Sequence, residues 1–199
     1  MAVVDLETRQ RIDLPPPEAA AQGTLMQALR LRRSIREYAD RPLDLPVLSS
    51  LLWAAFGVNR PQSGQRTAPS AHNWQEIDVH AALPEGLYRY DALAHVLHLA
   101  VAGDLRALTG VQEFVGRAPV NLVYVADFAR MDGGDEDDLP FLAGADAAVI
   151  AQNVYLYAAS VGLATVVRGL IDRRALARAM RLRPQQRIVL AQSVGYPVI

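Results

Sequence analysis

Residues 144–169, GADAAVIAQNVYLYAASVGLATVVRG, decide the fold. From Ala145 to Val161 the only charge is Asp146, and Gln152 and Asn153 are the only amides. The remainder is Ala, Val, Ile, Leu, Tyr and Ser, with no Pro or Gly before Gly162. A run apolar around every face predicts a helix buried on most sides. It is slightly short for a membrane span, and the charge and amides interrupt it. Gly162 predicts the helix stop, because glycine takes positive φ without strain. LATVV then reads as a short buried strand, closed by Arg168-Gly169. Helix, glycine stop and strand together put backbone N–H groups where a flat ligand can lie.

Outside this stretch, the composition excludes several chemistries. The chain has no Cys, which rules out thiol nucleophiles, disulfides, iron–sulfur clusters and Cys-bound zinc. It also has no Lys, so all 20 basic residues are Arg. A Walker A loop, a pyridoxal Schiff base and a lysine general base are therefore excluded. Every cation is a guanidinium, suited to planar groups and phosphates. A net charge of −1 points to no nucleic-acid or anionic-membrane partner. The opening MAVVDLETRQRIDLPPP lacks the pattern of a signal peptide, and no segment reads as a membrane span, so the expected location is cytoplasmic.

At 199 residues without an internal repeat, one domain over 24–199 is expected, preceded by an arm over 1–23. Pro15, Pro16 and Pro17 favour an extended arm, either disordered or draped over a partner subunit. Thr24 is the expected cap of a helix LMQALRLRR, with Leu25, Ala28, Leu29 and Leu31 as its apolar face. Asp44 is expected to cap PVLSSLLWAAF, which stops at Gly57. Residues 58–76 read as a long polar loop. IDVHAAL, GLYRYD and HVLHLAV read as a three-strand meander, and VNLVYVAD as a buried strand. MDGGDEDDLP reads as an acidic mobile loop. Asp172 caps a helix over 173–182 with Leu176, Met180 and Leu182 inward, and RIVLAQSVGYP is the last strand. Helices and strands without strict alternation predict an α+β fold with a mainly antiparallel sheet.

Two constellations carry chemistry. Arg32, Arg33, Ser34 and Arg36 fall where a helix yields to a turn, and either grip a phosphate or form a solvated basic helix end. Pro69, Ser70, Ala71, His72, Asn73, Trp74 and Gln75 crowd polar donors beside an indole, either as a binding loop or as a polar loop with one half-buried Trp. No metal site is expected: His95 and His98 are three apart in a strand and face opposite ways. The acidic run Asp135 to Asp138 lacks calcium-loop spacing. Tyr88, Tyr90, Tyr155 and Tyr157 read as packing residues.

Taken together, these stretches resemble the FMN-dependent nitroreductase family. RRSIREY is similar to that family's Arg-x-Ser-x-Arg/Lys-aromatic opening, and APSAHNWQ to its Pro-Ser-x-x-Asn-x-Gln loop. APVNLVYVAD resembles its Ala-Pro strand, and DAAVIAQNVYLYAASVGLATVVRG its central helix and flavin-contacting strand. The terminal VGYP is also similar, and the order holds over residues 24–197. The meander resembles a subgroup near the azoline-dehydrogenase type.

The resemblance implies a three-layer fold with the sheet flanked by helices, in an intertwined homodimer with two FMN sites at the interface. It implies that Arg32 and Ser34 hold the FMN phosphate with support from Arg33, and that Arg36 lies near the flavin N1/O2 edge. Pro69, Ser70, Ala71, Asn73 and Gln75 would reach the partner's flavin. Val167, Arg168 and Gly169 would present backbone N–H groups to flavin N5 and O4, and Gln112 an amide to the pyrimidine edge. His72 and Trp74 would shape the substrate face. NAD(P)H is the implied co-substrate, with nitro, quinone or similar acceptors reduced by ping-pong hydride transfer and no side chain acting as acid or base. A flavin dehydrogenase of an organic or peptide-derived donor and a non-catalytic ligand-binding module are the alternatives. Many members continue past Gly-Tyr-Pro with basic residues, whereas this sequence ends at Ile199, so the resemblance implies either that Arg32, Arg33 and Arg66 compensate or that FMN is held more weakly.

Overall fold

The computed structural model describes residues 9–18, 23–133, 135 and 137–198. A seven-stranded sheet forms its middle layer. In chain order the elements are β1 (Arg11–Asp13), α1 (Leu25–Leu31), α2 (Leu45–Phe56), β2 (Val58–Arg60), β3 (Gln65–Arg66), β4 (Ile77–Leu83), β5 (Gly86–Asp91), β6 (Val96–Ala102), β7 (Val120–Asp127), α3 (Leu139–Val161), β8 (Ala164–Arg168), α4 (Arg173–Ala179) and β9 (Gln186–Gly195). The strand order is β1-β6-β5-β4-β7-β9-β8, with every neighbouring pair antiparallel. The fold is thus α+β, and its sheet is antiparallel.

Burial explains the order. β4 and β7 are buried along their whole length and lie at the centre. Helices α2 and α3 cover one face, where Leu51, Leu52, Phe56, Ile150 and Val154 meet Leu122 and Tyr124. The short α4 covers part of the other, with Leu176 and Met180 against Val123, Val125 and Ile188. The three-strand meander forms as its alternating pattern predicts, with register from Ala81↔Tyr88 to Tyr90↔Leu97.

The structure corrects several sequence expectations. Residues 58–76 are not one loop: β2 and β3 form a hairpin, and Ala71–Asn73 makes a single 3-10 turn. Part of the arm is a strand, because Arg11–Asp13 adds to the exposed edge of β6 and buries Ile12 and Leu14. Ser49 Oγ donates to the Pro15 carbonyl, and Glu18 N donates to Ser50 Oγ at 2.9 Å, so the arm docks on its own chain. The expectation for residues 1–8 and 19–22 lies outside the described residues.

Helix α3 begins at Leu139, with Pro140 in its first turn, so Gly144 lies inside it. Two residues of the acidic loop, 134 and 136, lie outside the described residues. Nor is α3 buried on most sides. Ala147, Ile150, Ala151, Val154 and Ala158 form one inward stripe, while Phe141 is 74% and Val149 38% exposed. It holds an 18-residue window of mean hydropathy 1.2, which passes for a membrane span by length and composition alone, as the core helix of a packed domain also does. In this fold that length covers the sheet instead. The expected apolar face of α1 is likewise open: only Ala28 is buried, and Leu25, Met26, Leu29 and Leu31 are exposed. Asp44 precedes α2 but makes no side-chain cap, because its carboxylate takes Arg41 and Tyr196.

Gly162 ends α3 at φ 74°, ψ 25°, and a Cβ there would meet nothing. Gly162→Ala therefore isolates the cost of left-handed backbone. It should destabilise by about 1 kcal/mol, lowering the melting temperature by roughly 2–4 °C.

Candidate active site

β8 is the last strand of the sheet, so one of its edges has no strand partner. In an antiparallel strand, alternate residues turn both backbone polar groups outward. Here these are Thr165, Val167 and, just past the strand, Gly169. The Thr165 carbonyl accepts from Ile35 N at 3.0 Å. Val167 N donates to the Tyr155 hydroxyl at 3.0 Å, and that hydroxyl meets Ser34 Oγ at 2.8 Å. Gly169 is exposed, and among the described residues its N–H has no partner. Arg168 N–H turns the other way, into the ladder opposite Ala191.

These contacts lay residues 32–36 along β8. Tyr38 secures them from behind, its hydroxyl donating to the Ile35 carbonyl at 3.0 Å. Arg32 is half-buried, with its guanidinium 5.3 Å from the Tyr155 ring centre, while Arg33, Ser34 and Arg36 are exposed. Among the described residues, none of these three guanidiniums has a hydrogen-bond or ion-pair partner. Tyr155, which the sequence offers as packing, is the connector of the site. Its hydroxyl is the signal that an apolar reading passes over.

Arg168 is held differently from its neighbours. Its side chain is 4% exposed and runs inward over the sheet face. It donates to the Thr109 carbonyl at 2.8 Å and to Asn121 Oδ1 at 3.0 Å, with no carboxylate alongside. Burial lowers its pKa to about 10 and pushes the neighbouring Tyr38 phenol up. A Cβ on Gly110 would overlap its Nη1, so glycine is required there by close approach. The side chain is a strut behind the edge, and what faces outward is the Gly169 main chain. Gln112 lies beside it, because Val111 N reaches the Leu170 carbonyl at 3.4 Å, and Gln112 Oε1 is buried without a partner. Ser34, Val167, Gly169 and Gln112 therefore share one region of the surface.

The 69–75 loop lies elsewhere. Ala71 N donates to Asp146 Oδ2 at 2.8 Å, and Gln75 N to Ser70 Oγ at 3.0 Å. His72, Asn73 and Gln75 adopt φ of 50°, 56° and 49°, left-handed values that leave Pro69, His72 and Asn73 exposed. His72 and Trp74 stack at 4.5 Å, and Trp74 Nε1 donates to Asp132 at 2.9 Å. The Gln75 amide is engaged inside the loop, accepting from Arg66 Nε at 2.7 Å and donating to the Gly64 carbonyl at 3.1 Å. This loop sits on α3 at Asp146, while Ser34 sits on the same helix at Tyr155. Nine residues separate them, about 13 Å along the axis, so one chain does not bring the two halves together.

The histidines have other partners. His95 Nδ1 meets the Tyr90 hydroxyl at 2.8 Å, and its Nε2 meets Ser49 Oγ at 2.8 Å. Full burial lowers the His80 pKa to about 4, which keeps that ring neutral.

An antiparallel sheet with an open edge, a basic turn beside it and a left-handed polar loop make up the candidate site. Residues 29–196 match the Nitroreductase family, and the chain belongs to it. A crystal structure of a candidate nitroreductase from Ralstonia eutropha is 46% identical, covers 96% of this chain and 91% of its own, and superposes with a TM-score of 0.92. A candidate nitroreductase from Methanocaldococcus jannaschii is 33% identical over 155 residues, 73% of this chain and 78% of that one. The fold also recurs in a chain of the E. coli microcin synthetase complex, at 19% identity, with a TM-score of 0.73 and coverage of 100% and 83%.

Tyr155→Phe removes one hydroxyl from the connector and leaves Val167 N–H without its acceptor. It should lower the unfolding free energy by about 1–2 kcal/mol, read by urea denaturation. An unchanged midpoint would mean that the edge is held by Ile35 alone.

Proposed function

We propose that this chain is an FMN-dependent oxidoreductase that works as a homodimer, taking a hydride from NAD(P)H and passing it to a nitro, quinone or similar small organic acceptor. The single observation that carries this reading is the open N–H of Gly169 at the end of the β8 edge. The Thr165 carbonyl, the Val167 N–H and the Gly169 carbonyl are each bonded within the chain, while among the described residues the exposed Gly169 N–H has no partner.

The residues present fit FMN. Arg32, Arg33 and Ser34 offer charged and neutral donors suited to a phosphate. Arg36 supplies a fixed positive charge for the pyrimidine edge, where negative charge gathers on reduction. Gln112, with a buried unpartnered oxygen, supplies an amide for polar ring atoms. Gly169 supplies an N–H with no proton to lose at neutral pH, so it orients without titrating. Bound FMN supplies the two-electron hydride chemistry itself. The chain's part is to bind, orient and charge the surroundings of the ring, and no side chain is assigned as acid or base.

Dimerisation has separate support. Leu25 (64% exposed), Met26 (72%) and Phe141 (74%) present large apolar side chains on α1 and α3. A second copy covering them would bring the 69–75 loop of one chain toward the β8 edge of the other, with His72, Asn73 and Trp74 over the ring. The competing reading, a flavin dehydrogenase of an organic or peptide-derived donor, rests on the β4–β6 meander and its resemblance to azoline-dehydrogenase-type members.

Purified protein should be yellow and elute at twice 21.7 kDa. Arg32→Ala and Ser34→Ala should each weaken FMN binding by about 10–100-fold, the worth of one charge-assisted hydrogen bond. Anaerobic NADPH should bleach the colour. Bleaching only by an organic donor would favour the dehydrogenase reading, and protein that takes up no FMN would overturn both.

A further inference from the structure

Beneath the 69–75 loop lies a pair of acids that the proposed chemistry does not use. Glu76 immediately precedes β4 and is completely buried. Asp146, 8% exposed on the inward side of α3, lies within hydrogen-bonding reach of its carboxyl. Asp146 Oδ2 accepts the Ala71 N–H at 2.8 Å and thereby tethers the loop to the helix. Neither Glu76 oxygen has a donor. The Glu76 main chain is fixed at the sheet end, because its carbonyl accepts from Asp127 N at 3.0 Å. The cation nearest this pair is Arg130. Its guanidinium is committed to Asp78 at 2.8 Å and to the Gln75 carbonyl at 3.0 Å.

Two buried carboxylates in contact cannot both ionise, since each raises the cost of charging the other. A protonated Glu76 donates its O–H to Asp146 and gives the pair the donor it otherwise lacks. Asp146 Oδ2 meanwhile accepts the Ala71 N–H. We infer that Glu76 and Asp146 share one proton, and that this pair is the clamp that holds the 69–75 loop in its left-handed conformation. Glu76 and Asp146 are positioning residues, because they act on a ligand only through the loop. Their bearing on a flavin rests on the function proposed above, whereas the clamp itself does not.

The direction with pH follows. Burial, with Asp146 alongside, pushes the Glu76 carboxyl up to about 7. Between its ordinary value and about 7 the folded chain binds a proton that the unfolded chain has released. Stability from this group therefore falls as pH rises through that window. Above it, two negative charges face each other and the tether loosens.

The loop carries its own reporter, since Trp74 is one of two tryptophans in the chain. Its indole stacks on His72, whose own titration must be removed. His72→Asn does this, because Asn tolerates positive φ. In that variant, without FMN, tryptophan emission should change with a midpoint near pH 7. The change should be absent when Trp74 is Phe. Glu76→Gln keeps a donor toward Asp146 with nothing to ionise. It should abolish the transition and raise the melting temperature at pH 8 more than at pH 5. Asp146→Asn should move the midpoint down by a pH unit or more, because Asn donates to an ionised Glu76. A transition that persists in Glu76→Gln, or a flat profile from pH 5.5 to 8.5 in the His72→Asn protein, would overturn the clamp. FMN retention is read separately. On the flavin reading it weakens several-fold between pH 6 and 8.5 in the parent and not in Glu76→Gln. Protein that never binds FMN refutes the flavin reading and leaves the emission profile to decide the clamp.

Discussion

An edge strand must do something with its outward backbone groups. β8 and the residue after it have three such positions, and the surrounding chain takes one outward group at each. The Thr165 carbonyl is taken by Ile35, and the Val167 N–H by Tyr155. Those bonds fix where residues 32–36 run, and so fix where their guanidiniums end. The third position, Gly169, gives its carbonyl to Arg173 at 3.1 Å, and among the described residues its exposed N–H has no partner, which is where a ligand completes the pattern on the reading proposed above. The open edge is a liability in most sheets; on the function proposed above it becomes a binding surface.

Helix α3 joins the two halves of the candidate site. Tyr155, near one end, anchors the basic turn, and Asp146, two and a half turns away, anchors the 69–75 loop. A rigid helix sets that separation, so neither half can move toward the other within one chain. The exposed apolar side chains of α1 and α3 are what a second copy would cover in the dimer proposed above. The buried Arg168 stiffens the same region from behind. A charge without a carboxylate is costly inside a protein, yet three neutral acceptor contacts tie it to Thr109 and Asn121, and through them to β7.

Much of this was legible in the sequence, and the gaps have physical reasons. Strand periodicity gave the meander and the buried β7, because alternation reports directly which faces are covered. The caps at Thr24 and Asp172 formed as their side chains predict. The edge strand Arg11–Asp13 was hidden, since three residues are too few for a period and its stability comes from a distant partner, β6. The α3 helix looked buried all round because an apolar face reads the same whether its own chain or another covers it. Tyr155 and the Glu76–Asp146 pair were missed for a related reason. Their roles lie in contacts with residues far away in the chain, and a hydroxyl or carboxyl shows no sign of its partner in sequence. The Arg168 N–H, expected at the surface, points instead into the β8–β9 ladder, because alternate residues of a strand face opposite edges, so of that pair only Gly169 turns its N–H outward.

The most direct measurement is residue-resolved amide hydrogen exchange with and without FMN. The account predicts that Val167 N–H is protected in both states, and that Gly169 N–H exchanges rapidly alone and slows sharply when FMN is added. If Gly169 exchanges equally fast in both states while FMN is demonstrably bound, the edge of β8 is not where the flavin lies.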